Sequence, residues 1–342
     1  MSDSPFFTVA IPTYNRAGFL RQSLGAVLRQ SFDDFELLVA DNHSTDDTPQ
    51  VVQAVRDPRV RYARHASNLG ALENFFYVSR HAQGRFLVIN QDDDLLHHDF
   101  LARAHAALQG HRGLTAYASA MWRGHPSRGF EAQLMGSPVG EDMDFILEDR
   151  AAVLDGKRAA VSFLYADYIL HPAVALCVKT LQAVGGYTHD SEQVNDTITQ
   201  ARVFCEGQLA YDPRPGAVFR LHDQNAYRAQ YSQKLRHRTG RNKFYQLIAD
   251  FEERGIDWRS LLLSDLARFS RKEVVRCLGQ WIRYHAPPVL QRVGLEALRR
   301  QTGKSGPRLV HCVVRQLGLS KSLRYAKAQM GAKNHASSTR SR

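Results

Sequence analysis

The first 120 residues alternate short apolar runs with segments in which apolar residues recur every three or four positions. The apolar runs are rich in β-branched and aromatic residues, which predicts strands at Phe6–Pro12, Phe35–Ala40, Val60–Arg64, Arg85–Asn90 and Leu114–Met121. The periodic segments predict helices at Ala17–Gln30, at residues 48–55 and at Ala71–Ala82. Because strands alternate with helices, the sequence predicts an α/β fold with a mostly parallel central sheet and flanking helices.

Three residues mark expected helix ends. Thr48, followed by proline, is expected to cap the second helix, and Asp99 the helix that follows residue 99. Gly84 is expected to end the helix before it as a C′ glycine.

The pattern changes after the first 120 residues. Gly124–Asp149 is rich in glycine, proline and acids and predicts a loop region, Ser162–Leu221 returns to short mixed elements, and helical periodicity dominates from Arg228. The predicted organisation is a domain of residues 1–227 with halves 1–121 and 122–227, a basic helical region 228–330, and a disordered tail 331–342.

Charge divides the chain in the same way. Of the net charge of +11 over 342 residues, residues 1–227 carry −7, from 20 basic and 27 acidic side chains. Residues 228–342 carry +18, from 25 basic and 7 acidic side chains. This asymmetry indicates an anionic partner for the last third, either a membrane surface or a nucleic acid.

Four scattered cysteines, Cys177, Cys205, Cys277 and Cys312, form no C-x-x-C pair and indicate neither a zinc site nor a dithiol redox site. The first residues show no basic segment followed by an apolar one, and no stretch reaches the ~18 apolar residues of a membrane span. We therefore expect an intracellular protein that is at most peripheral to a membrane.

Polar residues gather where the predicted strands end, at Pro12–Asn15, Asp41 and Gln91–Asp94. Parallel sheets bind ligands at the carboxyl ends of their strands. The three adjacent carboxylates of Asp92–Asp94 repel one another unless a cation neutralises them, and hard oxygen ligands suit Mg²⁺ or Mn²⁺. The local alternative is a solvated acidic turn that caps the next helix.

The segment TVAIPTYNRAGFLRQSLGAVLRQSFDDFELLVADNHSTDDT, with the three aspartates fifty residues later, resembles the family 2 glycosyltransferases of GT-A fold. The resemblance extends over roughly residues 7–225. It implies inverting transfer of a sugar from a nucleotide-diphosphate sugar, a UDP-sugar in the first place, to an acceptor hydroxyl. Bacterial members of this type make cell-surface polysaccharide or lipopolysaccharide.

The resemblance assigns roles to residues of three turns. It implies that Pro12, Thr13, Tyr14 and Asn15 surround the nucleotide base, and that Asp41 accepts a hydrogen bond from uracil or ribose. It also implies that the loop with Asn68 and Gly70 lies over the nucleotide. The local alternative is that all these residues, with Ser44 and Asp46, satisfy backbone groups of ordinary turns.

The aspartates depart from the family pattern, since Gln91 stands where the family's first aspartate is expected. In this alignment Asp93 is the metal ligand, while Asp92 faces the ribose with Gln91 beside the nucleotide sugar. An alignment shifted by one residue makes Asp92 and Asp94 the ligand pair instead. We prefer the first because Asp94-Leu95-Leu96 matches the family's continuation.

Two further residues follow from the resemblance. Asp196, in an Asn-Asp pair after the turn Gly185–Gly186, is the implied general base. A helix cap is its local alternative, and Asp190 and Glu192 are the other candidate bases. His222 is implied to complete the metal or diphosphate site, and Arg220 beside it to reach a phosphate.

Other protein classes fit less well. The first strand is not followed by the G-x-G-x-x-G of a dinucleotide-binding oxidoreductase or by the phosphate loop of a nucleotidyltransferase, and the basic third contains no known nucleic-acid-binding module. Because Gln91 stands in place of an expected aspartate, a non-catalytic protein that only binds a nucleotide sugar is the remaining alternative. The expected partners are a nucleotide sugar, a saccharide or lipid-linked saccharide acceptor, and anionic lipid at the inner face of the plasma membrane, without nucleic acid.

Overall fold

A computed structural model describes residues 4–125, 129–133, 151–164, 171–187, 195–222 and 246–267. They form a central sheet with flanking helices, which confirms the α/β expectation. The strands are β1 Phe7–Thr13, β2 Phe35–Asp41, β3 Val60–Arg64, β4 Phe86–Ile89, β5 Leu95–Leu96, β6 Leu114–His125, β7 Gly129–Gln133, β8 Ala152–Asp155, β9 Val174–Cys177 and β10 Gln208–Arg220. The helices are α1 Ala17–Leu28, α2 Thr48–Gln53, α3 Ala71–His81, α4 Phe100–Gln109, α5 Gly156–Ser162, α6 Val178–Ala183, α7 Asn195–Cys205, α8 246–253 and α9 Trp258–Ala267.

The sheet is parallel at one end and mixed at the other. Its strand order is β3-β2-β1-β4-β9-β6-β10-β5, with β7 beside β6 and β8 beside β10. The strands from β3 to β4 are parallel to one another, as the alternating pattern predicts. Strand β9 runs antiparallel to both β4 and β6, and β10 pairs in parallel with β6, so the common direction of the first four strands returns in β6 and β10.

Strands β1 and β2 form the centre of the parallel part, and all seven residues of each are buried. Their near-continuous apolar sequence suits strands that are covered on both faces. The polar exceptions are paired, since the Thr8 hydroxyl donates to Glu36 at 2.6 Å. Arg61 of β3 forms an ion pair with the same glutamate at 3.0 Å.

Two predicted helix caps are wrong in detail. Thr48 is the first residue of α2, and its backbone N–H donates to the Asp46 carboxylate at 3.0 Å. Asp99 does precede α4, but its carboxylate binds the His97 ring and the Arg103 guanidinium instead of a helix N–H. Competing partners thus take the Asp99 carboxylate, whereas the Thr48 hydroxyl has no hydrogen-bond partner in the described structure.

Gly84 does not act as a left-handed C′ glycine. Helix α3 ends at His81, Ala82 is already extended, and Gly84 is absent from the glycines with positive φ. A Cβ on Gly84 would instead lie 2.4 Å from the backbone carbonyl carbon of Phe7 and the amide nitrogen of Thr8. The glycine is needed because the chain passes against β1 at this point.

The chain divides into two compact units, Met1–Phe163 with Asp167–Ala229 and Leu164–Ala166 with Gln230–Arg342. Helices α8 and α9 belong to the second unit, where Leu247, Ile248 and Phe251 are fully buried. Gly255, at φ 66°, ends α8, and the next N–H bonds back to the Phe251 carbonyl at 2.8 Å. In the described parts of the chain, no helix combines the length and apolarity of a membrane span.

We expect Gly84→Ala to lower the free energy of unfolding by about 1–3 kcal/mol, because the new methyl group collides with the β1 backbone. Urea unfolding of the full chain, followed by circular dichroism, measures the change. Gly18→Ala is the matched control, because Gly18 is an exposed residue of α1 and a Cβ there meets nothing within 4 Å. This substitution should raise the free energy of unfolding by about 0.5–1 kcal/mol. Equal stability of the two variants would contradict the close approach.

Candidate functional site

The ends of three adjacent strands meet at one edge of the sheet. Thr13 at the end of β1 pairs with Asp41 at the end of β2, and the Asn90 N–H after β4 donates to the Ala10 carbonyl of β1 at 2.9 Å. The segments that follow are named here the β1 turn (Pro12–Arg16), the β2 turn (Asp41–Asp47) and the aspartate turn (Gln91–Asp94). The parallel register therefore brings together the strand-end residues that the sequence singled out.

Two carboxylates of the aspartate turn converge on one nitrogen atom. Nη1 of Arg16 lies 3.1 Å from Oδ1 of Asp92 and 2.6 Å from Oδ2 of Asp93. The Thr13 hydroxyl also donates to Oδ2 of Asp92 at 2.8 Å. The β1 turn thus supplies a positive charge and a neutral donor to the two carboxylates.

Burial controls the ionisation of the aspartate turn. Burial, reinforced by repulsion from Asp93, raises the pKa of Asp92 to about 6 despite the attraction of Arg16. Burial also raises the pKa of Asp94 well above its ordinary value, with the negative charge of Asp93 adding to the effect. Asp94 has no exposed surface, which fits a carboxyl group that is protonated more readily than usual.

Asp94 is held away from the other two aspartates. Its Oδ1 accepts a hydrogen bond from the backbone N–H of Arg220 at 3.1 Å, and its own N–H donates to the Gln91 carbonyl at 3.0 Å. Within the described structure, Oδ2 of Asp94 has no hydrogen-bond partner. This geometry favours the alignment that uses Asp93 over the one that uses Asp94, and the ligand set itself stays a prediction.

The end of β10 packs against the aspartate turn from the other side. Nε2 of His222 lies 3.1 Å from Oδ2 of Asp93, and the His222 ring lies against Phe19 with centroids 4.4 Å apart. Arg220 is buried, and its guanidinium donates to the Asp93 carbonyl and, at 2.6 Å, to Gln22. Arg220 therefore stabilises the aspartate turn, and its phosphate contact stays a prediction.

The β2 turn encloses Asp41 completely. Oδ1 of Asp41 accepts from the Ser44 N–H at 2.8 Å, and Oδ2 accepts from the Tyr62 hydroxyl at 2.6 Å. Burial and the hydrogen bond to Asp41 raise the pKa of Tyr62 well above its ordinary value. Because Asp41 has no exposed surface, a direct contact with a nucleotide base requires this turn to move.

Hydrogen bonds tie the β1 turn to the β2 turn. Asn15, with φ at 53°, donates its N–H to Ser44 at 2.9 Å and accepts from the Thr45 N–H at 2.7 Å. The Ala17 N–H at the start of α1 donates to Asp46 at 2.9 Å. Tyr14, which precedes Asn15, remains 42% exposed.

The Asn68 loop lies beside the β2 turn. Oδ1 of Asn68 accepts from the Asn42 side chain at 2.8 Å and from the Gly70 N–H at 2.9 Å. The side-chain oxygen of Asn42, Oδ1, in turn accepts a hydrogen bond from the Leu69 N–H at 2.8 Å. Asn42, which the sequence reading passed over, therefore links the predicted nucleotide loop to the strand end that carries Asp41.

Asp196 lies in the first turn of α7 and is half-buried. Its Oδ1 accepts the Thr197 N–H at 2.8 Å, but α7 begins at Asn195, so Asp196 is the second residue of the helix and not its N-cap. His171 and Tyr187 are buried near Asp196, and the Tyr187 hydroxyl lies 3.0 Å from Nε2 of His171. Asp190 and Glu192 lie outside the described residues, so the choice of base stays a prediction.

A separate group, His97, His98 and Asp99, brings potential metal-ligand atoms within 4.8 Å of one another near the start of α4. Asp99 is already bonded to His97 at 2.5 Å and to Arg103 at 3.0 Å. We therefore interpret this surface group as a local charge network.

The family assignment comes from comparison with known proteins. The family model described as Glycosyl transferase family 2 matches residues 8–157, which contain the β1 turn, the β2 turn and the aspartate turn. The chain carries a family 2 glycosyltransferase domain. The resemblance seen in the sequence is therefore confirmed at the level of the family.

Curated relatives match about a quarter of the chain. A putative colanic acid biosynthesis glycosyl transferase, WcaA of Escherichia coli K12, is 31% identical over 96 residues. A GalNAc(5)-diNAcBac-PP-undecaprenol beta-1,3-glucosyltransferase of Campylobacter jejuni is 34% identical over 95 residues. These matches cover 28% and 27% of this chain and only 34% and 31% of the two relatives.

Solved structures support the GT-A fold of the domain. S. aureus TarS 1-349, in a crystal structure with UDP-GlcNAc, has a TM-score of 0.59 and is 17% identical. The match covers 91% of this chain and 92% of the TarS fragment. At this identity the likeness shows the fold alone.

We expect Asp46→Ala to lower the free energy of unfolding by about 1–2 kcal/mol, because the Ala17 and Thr48 N–H groups lose their acceptor. Urea unfolding measures the loss. Asp47→Ala is the control, since Asp47 is exposed and makes no side-chain cap hydrogen bond, and it should change stability by less than about 0.5 kcal/mol.

The same comparison has a pH dependence. Partial burial acts to raise the pKa of Asp46, but the hydrogen bonds from Thr48 and Ala17 outweigh it and leave the pKa below its ordinary value. The stabilisation is then complete above the pKa of an unfolded aspartate and is lost as pH falls through the folded pKa. A stability difference between wild type and Asp46→Ala that grows in acid would contradict this assignment.

Proposed function

We propose that the protein transfers a sugar from a nucleotide-diphosphate sugar, a UDP-sugar in the first place, to an acceptor hydroxyl with inversion at the anomeric carbon. The observation that carries the proposal is the convergence of Asp92 and Asp93 on one cationic atom at the strand-end edge of a family 2 domain. Buried, converging carboxylates of this kind suit a cation and, through it, a diphosphate.

The aspartate turn fits a divalent ion, Mn²⁺ or Mg²⁺. Asp92 and Asp93 offer hard oxygen ligands around a point that a guanidinium nitrogen already occupies, and Nε2 of His222 lies within 3.1 Å of Asp93. When bound there, such an ion stabilises the negative charge that develops on the leaving nucleotide. In our proposal Asp93 and His222 hold the ion, Asp92 adds its negative charge beside the ion while facing the ribose, and Gln91 faces the sugar.

The other turns would bind and orient the nucleotide. The exposed ring of Tyr14 offers a face on which a base can stack, and the loop with Asn68 and Gly70 lies on the neighbouring strand end. Asp41 holds the β2 turn through Ser44 and reaches the base or the ribose when that turn moves.

Asp196 is the proposed general base. A carboxylate at the start of α7 takes the proton from the acceptor hydroxyl as the oxygen attacks the anomeric carbon. A single base with displacement from the opposite face gives inversion. Its carboxylate keeps one oxygen on the Thr197 N–H, which fixes the direction of the other.

The acceptor in this proposal is a saccharide on a lipid carrier, used in cell-surface polysaccharide or lipopolysaccharide synthesis. The printed names of the Campylobacter relative and of E. coli WfgD, a UDP-Glc:alpha-D-GlcNAc-diphosphoundecaprenol beta-1,3-glucosyltransferase, support this class. The charge of +18 on residues 228–342 suits anionic lipid, so we place the enzyme in the cytoplasm at the inner face of the plasma membrane.

A donor screen tests the proposed activity. We expect one of the UDP-sugars to bind only with Mn²⁺ present and to be hydrolysed slowly when no acceptor is supplied, because water then takes the acceptor's place. Calorimetry and release of free UDP, with dTDP- and GDP-sugars in parallel, provide the two measurements. The proposal is refuted if no nucleotide sugar binds or is hydrolysed. Mn²⁺-dependent binding without any turnover favours the alternative that Gln91 supports, a non-catalytic binding protein.

We expect Asp196→Asn to lower the hydrolysis of that donor by at least about 100-fold while donor binding is retained, because the amide cannot accept the proton. The same calorimetric and release assays separate the two effects. Asp190→Asn and Glu192→Gln serve as controls and should keep turnover near the wild-type level. Undiminished turnover by Asp196→Asn removes Asp196 from the mechanism.

A further inference from the structure

Arg16 occupies the position at which a metal ion would meet the aspartate turn. Its Nη1 atom bridges Asp92 and Asp93 at 3.1 and 2.6 Å. The Arg16 side chain is 23% exposed, while those of Asp92 and Asp93 are 7% and 6% exposed. The guanidinium therefore lies on the solvent side of the two carboxylates, and a cation arriving from solvent meets it first.

The backbone around Arg16 is fixed while its side chain is long. Asn15 and Ala17 on either side are bonded to Ser44 and Asp46 of the β2 turn. Arg16 itself precedes the first turn of α1, with φ −139° and ψ 41°, and its carbonyl accepts the Leu20 N–H at 2.9 Å. The guanidinium can thus change partners by side-chain rotation alone, without unwinding α1.

Electrostatics makes the guanidinium and a divalent ion competitors for the same carboxylates. Asp92 and Asp93 are buried side by side, so a neighbouring cation stabilises the two negative charges when both groups are ionised. Arginine is always protonated in proteins and cannot yield by losing its charge, so it must move when a second cation binds. Once displaced, a planar guanidinium pairs best with a phosphate or a carboxylate.

We propose that Arg16 is a mobile counter-cation that pairs with Asp92 and Asp93 in the ligand-free protein and transfers to the diphosphate of the donor when a divalent ion binds. This inference rests on the proposed function. It adds that the metal and the nucleotide bind cooperatively. The metal frees Arg16 from the aspartates so that it can pair with the diphosphate, and the diphosphate gives the displaced guanidinium a new anionic partner. Such coupling is reciprocal, so the metal strengthens nucleotide binding by the same factor.

The experiment measures the affinity of the full-length protein for Mn²⁺, from the electron paramagnetic resonance signal of free Mn²⁺, with and without UDP. Wild type should bind Mn²⁺ weakly alone and more tightly with UDP. In Arg16→Gln, Mn²⁺ affinity without UDP should rise by at least about tenfold, since a neighbouring positive charge is gone. UDP should then strengthen Mn²⁺ binding by a smaller factor than in wild type.

Two further variants test whether the effect is specific to Arg16 and depends on its positive charge. Arg21→Gln removes an exposed arginine from the same helix and should behave like wild type. Arg16→Lys keeps the charge, so its Mn²⁺ affinity should stay closer to wild type than to Arg16→Gln. Circular dichroism confirms that each variant is folded before titration.

Several outcomes overturn the inference. One is an Arg16→Gln variant that binds Mn²⁺ no more tightly than wild type and keeps its response to UDP; Arg16 is then structural, and the proposed function stands if wild type still binds donor with Mn²⁺. Another is an Arg16→Lys variant as tight as Arg16→Gln, which excludes a charge effect. A third is no Mn²⁺ binding by any variant with UDP, and the donor screen then decides whether the proposed function fails with it.

Discussion

Compensation of charge at the aspartate turn is the constraint on which the rest of the site depends. Three carboxylates follow a buried strand. A negative charge is less stable in a buried position than in water, so each carboxylate raises the free energy of the folded protein unless a partner compensates it. The protein meets this cost with partners from two distant parts of the chain, Arg16 from the β1 turn and Arg220 with His222 from the end of β10. The cluster therefore exists only when the sheet has brought both ends together.

The turns around this cluster form a connected scaffold. Asn15, Ser44 and Asp46 join the β1 turn to the β2 turn, and Asn42 joins the β2 turn to the Asn68 loop. Most polar side chains of these turns therefore bond to one another. The side chains of Tyr14 and Arg16 remain partly exposed and can contact a ligand. The hydrogen bonds hold the backbone on both sides of Arg16, while the long Arg16 side chain remains able to rotate.

The comparisons and the geometry contribute at different levels. The family model covers the three turns and gives the class of protein, while the TarS structures share the fold at 17–18% identity and leave donor and acceptor open. The detailed chemistry depends on this chain's own departures. Gln91 replaces an expected acid, and Asp92 and Asp93 are the two aspartates that contact Arg16, whereas Asp94 bonds the backbone of Arg220.

The sequence alone determined the α/β class, the family and the strand-end positions of the site, because apolar periodicity and short motifs are local signals. It misplaced the role of Gly84, since that role depends on the close approach of the chain to β1. Only the tertiary structure showed the antiparallel position of β9, the full enclosure of Asp41 by Tyr62, and the pairing of Arg16 with Asp92 and Asp93. Arg16 follows directly after the Pro-Thr-Tyr-Asn motif, yet its partners lie 76 and 77 residues away. A contact of that range is set by strand register, which no local pattern encodes.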